Sequence, residues 1–360
     1  MNENSSVTQN DSQSSSPSPF YVGTYTDGDS QGIYKFLFHA DGTLTNLGLA
    51  ANSTNPSFLA RNKDSSFLLA INEVVGKNDL GSIQSFIING DTLDLIDQKA
   101  SGGSHPCFVA INRDGYILTA NYTGGNVCLL KQDDQGLLSD ILDTQQHTGA
   151  GTSERQDAPH AHSSWFVPNS EDIISVDLGT NQLWFSRIDP DQNKLVPSTP
   201  ITLDLDEGDG PRHLAFHPDN KWFYVVNELN STITIIHRDK EGGYTKGASC
   251  SALPNNYVEP NTCSDIHLSS DGKYLYVANR GHDSIAVFRV SFVDGELKLL
   301  GHKSSGGISP RNFSLSPKGN YLLVANQKSN NIVVLKRDVK SGLLKYRSQL
   351  ETPSPVCLLF

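Results

Sequence analysis

An all-β chain folded as a seven-bladed propeller is what three features of the 360-residue sequence predict. The chain repeats itself about every 50 residues, and each repeat divides into four short strand-like runs separated by Asp-Gly, Asn or Gly turns. No segment carries a convincing long helical period. Repeats of about 40 to 50 residues holding four strands are the pattern of propeller blades.

The units follow one another in order. Residues 1–19 are Ser, Asn, Gln and Pro with almost nothing to bury, so they read as a disordered polar leader ahead of a single domain over 20–360. FYVGTYT (20–26) and GIYKFLF (32–38) read as the second and third strands of a unit that lacks its first. A loosely written unit starts at Pro56. Clearer ones start at Pro106 (CFVAINRDGYILTAN), His160 (AHSSWFVPNSEDIISVD), Pro211 (RHLAFHPD, then WFYVVN), Cys263 (SDIHLSSDGKYLYVAN) and Pro310 (RNFSLSPK, then YLLVAN). One marker residue near the start of each unit, Ser57, Cys107, His162, Arg212, Ser264 and Arg311, steps by 50, 55, 50, 52 and 47. The chain ends in PVCLLF (355–360), a first strand without a second. Pairing it with residues 20–26 completes a seventh blade and removes both open sheet edges.

Composition bounds the chemistry. With 28 basic and 39 acidic residues the net charge is −11, which argues against a nucleic-acid partner, whose footprint is a basic face. Five scattered cysteines form no C-x-x-C pair, which fits a reducing compartment and argues against a zinc ribbon. No apolar run approaches the roughly 18 residues of a membrane span. The expected location is therefore cytoplasmic and the expected state a monomer. A polar leader is also what trimming an export signal ahead of Met1 would leave, and an exported or periplasmic protein is the alternative.

The repeat also selects a site. Glu73, Tyr122, Leu178, Glu228, Arg280 and Gln327 each follow the second strand, 16, 15, 16, 16, 16 and 16 residues after the unit markers. If the first strand is innermost, both sets of positions meet at one mouth of the central channel. His162, Arg212, Arg311, Glu73, Glu228 and Arg280 would then give a local charge near +1 within a protein of −11. Arginine forks suit a carboxylate or phosphate, so a small anion is the expected ligand. Glu228 and His162 are the candidates for acid and base work, with no choice between them as the base. His160 and His162 form an H-x-H whose side chains share a face of an extended segment. No third ligand accompanies them, so neither a metal nor a cofactor is expected, and His160 is assigned to substrate contact. His213 and His217 read as packing or turn residues. Asn72, Asn121, Asn227, Asn279 and Asn326 recur at one position and are expected to bond the turn after the second strand. No G-x-S-x-G, Walker or G-x-G-x-x-G motif is present.

The motifs YVGTYT (21–26), H-x-H-S (160–163), GPRHLAFHPD (210–219), NELNSTI (227–233) and ANRGHDSIAVF (278–288) resemble those of the seven-bladed propeller lactonases. That family includes bacterial 6-phosphogluconolactonases and fungal carboxymuconate cyclases, and the resemblance covers about residues 20–360. It implies a metal-independent lactonase, most simply one opening 6-phosphogluconolactone in the pentose phosphate pathway. By motif position it assigns His162, Glu228, Arg212 and Arg280 to the site. Together with the ring positions, His162, Glu228 and Arg280 are the expected catalytic set. Arg212, Arg311, His160, Glu73 and Tyr122 are the expected substrate-binding residues. Arg311 and His213 depart from a strict cyclase pattern. A cyclase-type lactonising reaction and a non-catalytic binding propeller are the alternatives.

Overall fold

Runs such as FLLAIN, YILTAN, WFYVVN and YLLVAN are apolar at nearly every position because the strands they form are buried on both faces. The computed structural model describes residues 16–360, and in it these runs are the second strands of seven four-stranded antiparallel sheets. Each sheet is a blade, and each face of a second strand packs on a neighbouring blade, so strict alternation is lost there. It returns in the outermost strands, for example Leu344–Glu351, where exposed and half-buried residues interleave.

Blade 1 is the one assembled from both chain ends. Its strands run in the order Pro355–Leu359, Ser18–Thr24, Gly32–Phe38 and Leu44–Asn52. Residues 1–15 of the polar leader lie outside the described residues. Its last part is not a leader, because Ser18 and Pro19 already pair with Phe38 and Leu37. The other six blades follow in chain order. Their innermost strands are Leu59–Arg61, Pro106–Ile111, Ala161–Phe166, Pro211–Phe216, Thr262–Leu268 and Pro310–Leu315. Seven apolar clusters hold the ring together, one at each blade–blade junction. The closing junction packs Leu358, Phe20 and Val22 of blade 1 against Tyr321, Leu323 and Val334 of blade 7.

Two recurring local features aim side chains at the channel. The register between first and second strands slips at the unit marker: Pro106 pairs with Asn121 but Phe108 with Ala120, and the same happens across His162, Arg212 and Arg311. The marker is the extra residue of a β-bulge, released from the ladder and turned toward the axis. The recurring asparagines are the second feature. Their amides reach back to the chain entering the blade, Asn121 to the Ser101 carbonyl, Asn279 to Ala252 and Asn326 to Ser305. Asn72 does the same with Thr54, whereas Asn227 bonds Thr232 and Thr234 of its own third strand. They therefore tie incoming linkers more than the following turn.

Leu358 is buried across the junction that closes the ring, and its amide donates to Asn312 Oδ1 at 2.8 Å. Leu358→Ala is expected to lower the free energy of unfolding by about 2–5 kcal/mol in a denaturant titration.

Candidate active site

One buried carboxylate gathers the centre of the channel mouth. Glu228 begins the turn after the second strand of blade 5, and its amide donates to the Gly210 carbonyl at 2.7 Å. Its Oε2 lies 2.9 Å from Arg280 Nη2 and 3.1 Å from Arg212 Nε, while Oε1 accepts from Arg155 Nη1 at 2.6 Å. His162 Nε2 stands 3.9 Å from Oε2. Burial alone would raise the Glu228 carboxyl, but Arg280, Arg212, His162 and Arg155 outweigh it and hold it well below the ordinary range. It is therefore a fixed anion at neutral pH.

The guanidiniums are held from behind. Arg280 Nη2 donates to the Cys263 carbonyl at 2.8 Å, and Arg212 Nη1 donates to the Ser264 carbonyl. Burial, with Arg280 and Arg311 nearby, brings Arg212 down to about 10, so it stays charged at neutral pH. His162 is pushed down as well: burial and the Arg212 charge hold it well below its usual value, and the ring is neutral. The Cys107 thiol donates to the His162 carbonyl oxygen at 3.2 Å, and its sulfur lies 3.6 Å from His162 Nδ1. A proton on Nδ1 pointing at that sulfur leaves Nε2 with a free lone pair on the Glu228 side.

Glu73 and Arg311 form a second group. Tyr25 donates its hydroxyl to Glu73 Oε2 at 2.8 Å, Arg311 stands 3.8 Å from the same oxygen, and its guanidinium lies 5.1 Å from the Tyr25 ring centre. Arg311 also feels the Glu228 charge, so the two groups share one electrostatic field.

A cluster of rings adjoins them, reached through His162, whose ring centre lies 5.5 Å from that of His213. His213 packs edge-on to Phe58, Phe108 and Trp165 and is bonded to Asp265 at 3.0 Å. Asp265 also accepts from Asn312 and contacts His267. His217 packs on Trp222. Both histidines thus have the packing places read from the sequence.

Of the expected residues, the structure gathers His162, Glu228, Arg280 and Arg212 at one point, with Glu73 and Arg311 alongside. Tyr122 joins them through its hydroxyl, which accepts from Arg155 Nη2 at 3.0 Å. His160 differs. Its Nδ1 lies 3.0 Å from the Tyr122 carbonyl and its Nε2 3.2 Å from Asp157, and its ring stacks on Tyr122 at 4.4 Å. Through these contacts it positions Tyr122. Leu178, at an equivalent ring position, is wholly buried.

Arg155, Tyr25 and Asp265 were not singled out by the sequence reading. Arg155 sits in the stretch between the strand ending at Gln146 and the one starting at Ala161, outside the repeat. The 55-residue step from Cys107 to His162, the longest of the five, is its trace in the sequence. Ser153 and Gln156 cap its short 3-10 turn reciprocally, and the buried Gln156 donates to the Leu178 carbonyl at 2.7 Å. Gly179 must be glycine here, since a Cβ would strike the Ala158 carbonyl. With Arg155 included, four guanidiniums face two carboxylates, an excess of two positive charges while His162 is neutral. Two other clefts, of about 560 and 810 Å³, open at the far ends of the strands, around Arg238 and Tyr244 and around Arg61 and Arg113. They lie on the opposite face of the disc.

Known proteins resemble this chain over nearly its whole length. A family model described as "Lactonase, 7-bladed beta-propeller" matches residues 19–360. A Bacillus subtilis protein named 6-phosphogluconolactonase is 35% identical over 344 residues, spanning 94% of this chain and 97% of its own. One of the same name from Formosa agariphila is 33% identical over 334 residues, spanning 90% and 94%. Among solved structures, the periplasmic gluconolactonase of Pseudomonas aeruginosa has a TM-score of 0.90 at 30% identity, spanning 95% of this chain and 98% of that one.

A carboxyl held low by its partners stabilises the fold above its unfolded value, near 4.5, and loses that contribution as pH falls through the folded value. Glu228→Gln should therefore be less stable than the wild type by a constant amount between pH 7 and 5. Urea titrations should show the gap narrowing below about pH 4.5.

Proposed function

The chain belongs to the seven-bladed β-propeller lactonase family, and from that premise we propose that its substrate is 6-phospho-D-glucono-1,5-lactone, opened by water to 6-phosphogluconate. Lactone hydrolysis as such is the activity of this enzyme. The observation that carries the finer reading is the excess of positive charge around Glu228, which suits an anionic lactone better than a neutral one. The relatives named 6-phosphogluconolactonase support it. The neighbour named as a periplasmic gluconolactonase favours a second reading, an unphosphorylated sugar lactone handled outside the cytoplasm. A sugar-phosphate substrate goes with a cytoplasmic location.

In the proposed reaction a water enters between His162 Nε2 and Glu228 Oε2, whose 3.9 Å separation lets one oxygen hydrogen-bond to both. Its own lone pair faces the lactone carbonyl carbon. His162 takes the proton as the C–O bond forms, because its neutral ring turns Nε2 toward Glu228, whereas the Glu228 oxygens are already engaged by Arg155, Arg212 and Arg280. Glu228 then stabilises the imidazolium. Arg280 holds the developing oxyanion, a contribution of about 3–4 kcal/mol for a well-placed donor. When the tetrahedral intermediate collapses, the bond from carbonyl carbon to ring oxygen breaks. His162 returns the proton to that oxygen, giving the hydroxy acid and the free enzyme. Arg212, Arg311, Glu73 and Tyr122 orient the sugar and its charge.

His162→Ala and Glu228→Gln should each lower the enzymatic rate by about a hundredfold or more, measured as lactone loss above the spontaneous rate. Wild-type rates in both variants would exclude this site. Because His162 must be neutral and is held below its ordinary value near 6.5, kcat/KM for unphosphorylated glucono-1,5-lactone, which brings no titrating phosphate of its own, should stay flat down to pH 6 and fall only at lower pH. An acid limb centred at or above 6.5 would remove His162 as the base.

A further inference from the structure

Four guanidiniums meet at the channel mouth, and they differ in what their donors face. Arg212 and Arg280 are sunk among carbonyls of blade 6, and Arg311 lies against the Tyr25 ring. Arg155 alone is half exposed: 47% of its side chain is open, against 4%, 14% and 17% for Arg212, Arg280 and Arg311. Its Nη1 is on Glu228 and its Nη2 on Tyr122, which leaves Nε–H and the outer edge of the fork toward solvent. It also differs in origin, coming from the capped turn that blade 4 anchors through Gln156.

We propose that Arg155 is the residue that recognises a phosphate carried on the part of the lactone distant from the reacting carbonyl, and so sets the preference for phosphorylated over unphosphorylated sugar lactones. This rests on the lactonase reading of the site and names its substrate class through one residue. With a neutral His162 the mouth carries two more positive than negative charges. A phosphate monoester brings about −1.5 to −2 at neutral pH and balances that excess, which a single carboxylate leaves half uncompensated. The guanidinium fork matches two phosphate oxygens, and its position at the outer rim suits the end of the substrate that enters last. The inner residues, Glu228, His162 and Arg280, are left for the ester end. Tyr122, stacked on His160, keeps the Arg155 fork from swinging away.

Because Arg155 also touches Glu228, a loss of rate in its variants does not by itself bear on recognition. The informative quantity is the ratio of kcat/KM for 6-phosphoglucono-1,5-lactone to that for glucono-1,5-lactone. Arg155→Ala is expected to lower that ratio by about ten- to a hundredfold, mainly through KM for the phosphorylated lactone, with Arg155→Lys recovering part of it. A ratio equal to the wild type overturns the assignment. Calorimetric binding of the hydroxy acids 6-phosphogluconate and gluconate gives a second readout that needs no turnover. Wild type should prefer the phosphorylated acid and Arg155→Ala should lose that preference. Equal binding of the two acids by the wild type, or an unchanged preference in the variant, overturns it too. A wild type that hydrolyses neither lactone would defeat the catalytic reading, and the binding comparison would still decide the role of Arg155.

Discussion

A single buried carboxylate makes the rest of the channel mouth possible. Three arginines packed within a few ångströms of each other would repel and, without a counter-charge, would drive the chain open or lose protons. Glu228 prevents this by meeting Arg155, Arg212 and Arg280 with two oxygens. The arrangement works in both directions. The arginines keep Glu228 ionised despite its burial, and Arg212, with burial, keeps His162 neutral. Two titratable groups that begin about two units apart are thus pushed into fixed and opposite roles, one an anion and the other an available lone pair.

The fold supplies what such a cluster needs, a rigid ring with a repeated way of turning residues inward. Each bulge frees one residue of an innermost strand from the ladder, and the second strand ends beside it on the same face. Since blades pack through apolar clusters at every junction, the frame does not depend on which residue occupies the bulge. The bulge can hold Cys107 in blade 3, His162 in blade 4 and Arg212 in blade 5 without altering the strands around it. Chemistry is thereby separated from stability, which is the property that lets one scaffold carry different substrates.

Much of this was legible in the sequence for a physical reason. A closed ring of similar blades repeats its constraints, so the spacing of the markers located six equivalent places, and variation among them drew out His162, Arg212, Glu228 and Arg280. What repetition could not reveal lay outside it. Arg155 comes from an inserted turn with no counterpart in other blades, and its partner is 73 residues away. Tyr25 directly follows the second strand of blade 1, Ser18–Thr24, and no marker precedes it because that blade's first strand comes from the other end of the chain. Asp265 is hidden because blade 6 carries its bulge one residue wider, between Cys263 and Ile266. An H-x-H spacing likewise says which side the His160 ring leaves the chain, and nothing about the Tyr122 ring and carbonyl that it meets there.

The ester carbonyl is proposed to be attacked at the channel mouth, and Arg280 is the group assigned to the oxyanion. The direct measurement is the rate of lactone loss catalysed by Arg280→Met, followed by NMR at slightly acidic pH, where spontaneous opening is slow. A fall in kcat of about a hundred- to a thousandfold, with the fold intact by circular dichroism, is the predicted result. Turnover at the wild-type rate by that folded variant would contradict the account.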